Sequence, residues 1–193
     1  MDNTRYGPLL RTAGVAGLLS AAILLVNAAK RGMLIPTVDA TQLLAPIAEV
    51  AAIVFVIGLL LWSGLRTRLA VVATTVNIVA LALLVGVEFV INLVLATVEP
   101  SIAATILDGP AGVAFAVASV TFLAATVLLV LAFWSRAPRW ALLTYAIGAV
   151  VVSLRSFVPE LVLDAALAVM AVGLIGLSVR VLAARRHAAA LAA

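Results

Sequence analysis

Glu88 is the residue best placed to do chemistry. It sits inside the stretch Leu69 to Thr97, LAVVATTVNIVALALLVGVEFVINLVLAT, with no other charge beside it. Asn92 follows four residues later, so on a helix the two side chains stack on one face. Asn77 precedes Glu88 by eleven residues and Glu99 follows it by eleven, close to three turns each way. Thr74, Asn77, Glu88, Asn92 and Glu99 then form one polar stripe on an otherwise apolar helix, which should face other helices or a water-filled cavity.

Glu88 lies roughly nine residues, about 13 Å of helix, from the end of its stretch. Placing an acid near a bilayer centre costs about 2.5–3.5 kcal/mol. An ion pair, hydrogen bonds or a proton must offset that cost. Two chemistries follow. Glu88 either exchanges a proton, cation or ligand, or it clamps helix register through Arg155 or an asparagine. Arg155 completes the candidate set: it snorkels at the end of its own helix, or turns inward to pair with Glu88, Glu160 or Asp164. Asn77 and Asn92 read as interhelical hydrogen bonders.

The elements that must position these groups follow from composition. Of 193 residues, 66% are hydrophobic and 10% charged, and the mean hydropathy is +1.33. A soluble domain is nearer 45–50% apolar and about 25% charged. The apolar residues fall into blocks near the roughly 20 residues a membrane-crossing helix needs. The pattern gives an all-α membrane protein, a bundle of six transmembrane helices in a single domain. The spans are expected at about 12–29, 46–65, 69–97, 111–134, 140–158 and 160–179, with 180–193 as a cytoplasmic tail. The first block, after Asp2, Arg5 and Arg11, also has the outline of a secretory signal, but it is long for one and flows into further spans.

Basic residues set the orientation. With both termini in the cytoplasm, nine fall inside (Arg5, Arg11, Arg66, Arg68, Arg136, Arg139, Arg180, Arg185, Arg186) and three outside (Lys30, Arg31, Arg155). Trp62, Trp134 and Trp140 all fall at inner ends, as interfacial anchors do. The segment Val98 to Pro110 is expected as an outer loop whose Ile102 and Ile106 dip into the interface as a short helical turn. Trp62-Ser63 with Arg66, Arg68 and Ala70 resembles Trp134-Ser135 with Arg136, Arg139 and Ala141; either a duplicated hairpin or the demands of a tight turn explain it.

The other acids have simpler explanations. Pro46 is expected to open the second span, which makes Glu49 a first-turn acid. Glu160 and Asp164 after Pro159, and Asp108 before Pro110, read the same way, as acids complementing a helix start. Asp39 and Glu99 are loop acids. Ala13, Gly17 and Ala21, and also Gly112 with Ala116, offer small-residue faces for close packing, within the bundle or between copies.

Several chemistries lack their residues. With no cysteine and a lone His187 in the tail, thiolate sites and histidine metal or haem sites are not expected. No Gly-rich phosphate loop or helix-borne His-Glu metal motif occurs, and no span supplies a base for a serine nucleophile. The expectation is a non-enzyme with no cofactor and no nucleic-acid partner. It would contact the lipid bilayer, and a membrane protein partner or a second copy of itself is the further contact to expect.

Arginine accounts for all basic residues except Lys30, and Ala and Val are abundant, as in products of GC-rich genomes. The late third-span acid Glu88, Glu99-Pro100, Arg136-Ala137-Pro138-Arg139-Trp140-Ala141 and the closing Gly173, Gly176 and Arg180 resemble small multi-pass membrane proteins of high-GC bacteria. That resemblance implies an all-helical fold in the bacterial cytoplasmic (inner) membrane and no particular activity. The sequence thus leaves two functions: a non-catalytic membrane subunit or scaffold, or a small proton- or cation-coupled transporter using Glu88.

Overall fold

The computed structural model describes residues 6–190, and side chains throughout that range except at 156 and 184–190. The expectations for Asp2 and Arg5, and for the side chains of Arg185, Arg186 and His187, lie outside the described residues. Helix α1 is Gly7–Arg31, α2 Asp39–Ser63, α3 Arg68–Phe89, α4 Pro100–Leu107, α5 Pro110–Phe133, α6 Arg139–Ser153 and α7 Glu160–Ala190. After α3 the chain continues as a π-helical segment, Val90–Val94, and a 3-10 turn, Leu95–Thr97. A second 3-10 turn, Arg155–Phe157, follows α6.

The six longer helices close into a ring. Helix α1 packs between α7 and α2, α3 between α2 and α5, and α6 between α5 and α7, while α4 lies mainly against α5. The α5–α6 seam is the least extensive of the six. Leu59, Leu81, Phe122, Leu129, Leu142 and Leu177 fill the middle. Valines, leucines and isoleucines such as Val72, Val79, Val120, Leu131 and Ile147 are exposed around the circumference. Contact with lipid accounts for such an outer surface; water does not.

Five segments are long and apolar enough to cross a membrane: Gly7–Arg31, Asp39–Ser63, Arg68–Thr97, Pro110–Phe133 and Glu160–Ala183. The sixth expected one, at 140–158, is the 15-residue helix α6 and its 3-10 turn. Helix α6 by itself spans about 22 Å, short of the roughly 30 Å hydrocarbon thickness. Its end is set by Pro159, which forces Val158 into extended backbone (φ −116°, ψ 147°). Helix α7, by contrast, runs on through the expected tail to Ala190.

Two close approaches fix the ring. A Cβ on Gly58 would overlap Ala13 of α1, so the expected small-residue face of α1 is spent on α2 and α7. At the α6–α7 crossing, a Cβ on Gly173 would meet the backbone of Ala141 and Tyr145, and one on Gly148 the backbone of Ala166. Gly112 faces the Leu107 carbonyl at the end of α4, so it serves a contact within the chain. Gly64, in the left-handed region at φ 64°, lets α2 turn sharply toward α3.

Candidate functional site

At the end of the bundle away from the tryptophans, α1, α3 and the α6–α7 turn bring four polar side chains into one chain of contacts. Asn92 is their centre. Its Nδ2 donates to the Glu88 carboxylate at 2.9 Å and to the Glu88 carbonyl at 2.9 Å. Its Oδ1 accepts from Lys30 Nζ at 2.8 Å. The second Glu88 oxygen lies 3.5 Å from Arg155 Nη1. Lys30, Asn92, Glu88 and Arg155 thus link α1, α3 and the α6–α7 turn. Of the two roles open to Arg155, the structure selects the inward one.

The backbone explains why Glu88 and Asn92 converge. Four residues apart on a regular helix they would already be neighbours. Helix α3 ends at Phe89, and the π turn around Asn92 widens the backbone there, a feature that often accompanies functional sites. The stripe does not continue: Glu99 lies beyond the 3-10 turn, is exposed, and precedes α4 as its N-cap residue. The eleven-residue spacing failed because the helix does not keep its period through the π and 3-10 turns. Segment 98–110 does form the expected short helix, α4, with Ile102 exposed.

Asn77 lies elsewhere. Fully buried in mid-bundle, it donates to the Ala125 carbonyl of α5 at 2.8 Å and to its own Ala73 carbonyl at 2.9 Å. It is the interhelical hydrogen bonder expected, and it does not join the Glu88 cluster. Arg31, at the last position of α1, bonds Glu160 and lies 3.4 Å from Asp164. These two α7 acids therefore also lock α1 to α7, which a helix-start role alone does not describe.

The cluster faces a partly open cavity of about 630 Å³ within the ring. Asn27, Lys30, Arg31, Glu88, Asn92 and Arg155 make its polar wall, while Phe115, Leu123, Leu163 and Leu167 of α5 and α7 make the apolar one. Glu49 of α2 also lines it, and with Leu24, Phe122 and Met170 borders a void of about 20 Å³ deeper in the bundle, next to Ser20 and Tyr145. Glu49 therefore forms the floor of the cavity.

Glu49 corrects the sequence reading. Pro46 does not open α2: the helix starts seven residues earlier at Asp39. Thr41 fixes that start, its hydroxyl accepting from the Val38 N–H at 3.0 Å and donating to the Val38 carbonyl at 2.8 Å. Glu49 is then ten residues, about 15 Å, into the helix. It is no first-turn acid. The signal was present in Asp39 with Thr41, an acid and a capping side chain placed for a helix start, but Pro46 masked it.

Among the described residues no group of three or more acidic or histidine side chains converges as a metal site. The fold and the cavity define the class: an all-helical bundle with helices of membrane-crossing length around a mainly apolar chamber with one polar wall. No protein-family model matches the chain, and no curated protein or solved structure is significantly similar to it.

Proposed function

We propose that this chain is a non-catalytic subunit or scaffold of the bacterial inner membrane, six spans deep with both termini in the cytoplasm, and that Glu88 is its internal clamp. The observation that carries the reading is the full engagement of the Glu88 carboxylate, one oxygen by Asn92 and the other facing Arg155. A carboxylate whose two oxygens are both engaged ties the end of α3 to the α6–α7 turn, as a structural clamp does. The basic turns 66–68 and 136–139 at the tryptophan end would meet anionic lipid headgroups or a partner. Their surroundings support that orientation: the Arg139 guanidinium stacks 5.3 Å from the Trp134 ring, as at an interface.

A second reading, a small proton- or cation-coupled transporter using Glu88, draws on the cavity that Glu88 lines. Proteoliposomes separate the two. The clamp reading expects Glu88→Gln to lower stability with no pH-driven flux to lose. A flux present in the wild type and abolished in a Glu88→Gln protein of unchanged stability would overturn it.

A further inference from the structure

Every basic side chain lining the cavity already has a partner. Lys30 donates to Asn92, Arg31 bonds Glu160 beside Asp164, and Arg155 faces Glu88. Glu49 differs. Among the described residues its carboxyl has neither a hydrogen-bond nor an ion-pair partner, although it sits half-buried at the cavity floor. Lys30 is six residues beyond Leu24 on α1, about 9 Å further toward the polar end, and its ammonium is turned to Asn92.

An acid among apolar side chains is stable only when neutralised, by a proton or by a cation. Its closest company on the cavity side, Leu24, Phe122 and Met170, offers no oxygen ligand, and the smaller void adds only the neutral hydroxyls of Ser20 and Tyr145. A metal ion, which needs several, would be poorly held there. The same residues suit an organic cation: an aromatic face attracts positive charge and a thioether is soft and adaptable. Above them, the cavity has room for a drug-sized body and one apolar wall to receive it.

We propose that the cavity binds a monovalent organic cation with an apolar body, the charge set against Glu49 and the body against α5 and α7. Anions are disfavoured, because each base they would need is engaged. The thin α5–α6 seam adds a route of entry from the lipid side. In α5 the first fully buried residue is Ala118, so the helix stands away from the core over its first two turns. A cation that partitions into lipid can reach the chamber there. The site rests on Glu49 and the clamp on Glu88, two carboxylates that line the one cavity.

The test uses the full chain in lipid nanodiscs with radiolabelled tetraphenylphosphonium, a permanently charged cation with an apolar body. Saturable binding of one per chain is expected. Glu49→Gln should weaken it at least tenfold, and Glu49→Asp should weaken it less. Glu99→Gln, outside the cavity, should bind as the wild type does. Triphenylphosphine oxide, similar in its aromatic body but uncharged, should not compete. A second measurement leaves Glu49 intact: in the otherwise cysteine-free chain, Ser119→Cys lies on the cavity wall, and the cation should protect it from maleimide. No saturable binding by the wild type, equal binding by Glu49→Gln, or no protection of Ser119→Cys would each overturn the proposal. Clamp failure reads out in stability and site failure in binding, so the two are distinguishable.

Discussion

Removing the Glu88 carboxylate is the most direct perturbation of the bundle. Glu88 and Arg155 face each other at 3.5 Å with side chains 23% and 27% exposed. At that separation the attraction is about 1 kcal/mol in water and about 5 kcal/mol at an effective dielectric of about 20. Desolvation of two charges takes back much of the larger figure. Fully exposed pairs contribute about 0–1 kcal/mol, and truncating one partner of a buried pair costs about 3–5 kcal/mol. A pair about one-quarter exposed at a cavity wall falls between. The Asn92 hydrogen bond adds to it, at about 0.6 kcal/mol for an average interhelical bond in membranes and about 1.7 at most.

Glu88→Ala should therefore destabilise by about 2 kcal/mol, and the Glu88–Arg155 coupling should be about 1–2 kcal/mol. The assay is unfolding by sodium dodecyl sulfate titration in mixed micelles, followed by helical circular dichroism. Wild type, Glu88→Ala, Arg155→Ala and the double variant form a cycle, with Glu99→Ala as control. Exposed and outside the network, Glu99 should cost no more than about 0.5 kcal/mol. A loss at Glu88 equal to that at Glu99, or a coupling energy of zero, would refute the clamp.

Three further outcomes follow from the packing and the charge pattern. Gly173→Val should cost about 3 kcal/mol or more in the same titration, because the added carbon meets backbone of α6 that cannot move aside, while Gly86→Ala, with open space around it, should be neutral or stabilise by up to about 1 kcal/mol. Asn77→Ala should cost about 1 kcal/mol by removing the bond to the Ala125 carbonyl; no change would mean that bond contributes nothing. Orientation is read with single cysteines at two exposed positions, Ser101 and Ser135. An impermeant maleimide applied to intact cells should label Ser101→Cys and spare Ser135→Cys, and the reverse pattern would invert the topology.

The helical architecture was legible because apolar blocks near bilayer length admit few other structures. Glu88 and Asn92 were legible as a pair because a spacing of four survives the local switch from α to π geometry. Glu99 was misplaced for the complementary reason: spacing over three turns presumes an unbroken helix, and this one loses its period at Val90. Arg155 had several candidate partners in sequence, and only the fold of the α6–α7 turn selects Glu88 among them. Lys30 gave no signal at all. It read as one of three outer basic residues, and its bond to Asn92 joins positions sixty-two residues apart.

Glu88 and Glu49 together show what sequence isolation means. Glu88 stood out because nothing polar adjoins it along the chain, yet in space it is the better partnered of the two, with Asn92 and Arg155 on its two oxygens. Glu49 was set aside because Pro46 nearby supplied a ready explanation, yet among the described residues it is the acid that lines the cavity without a hydrogen-bond or ion-pair partner. Isolation along the chain reflects the composition of one helix. Isolation in space depends on what the other helices contribute, and that determines whether a buried carboxylate is offset within the fold or left to be neutralised from outside. By that measure Glu88 belongs to the architecture, and Glu49 is where a ligand would complete it.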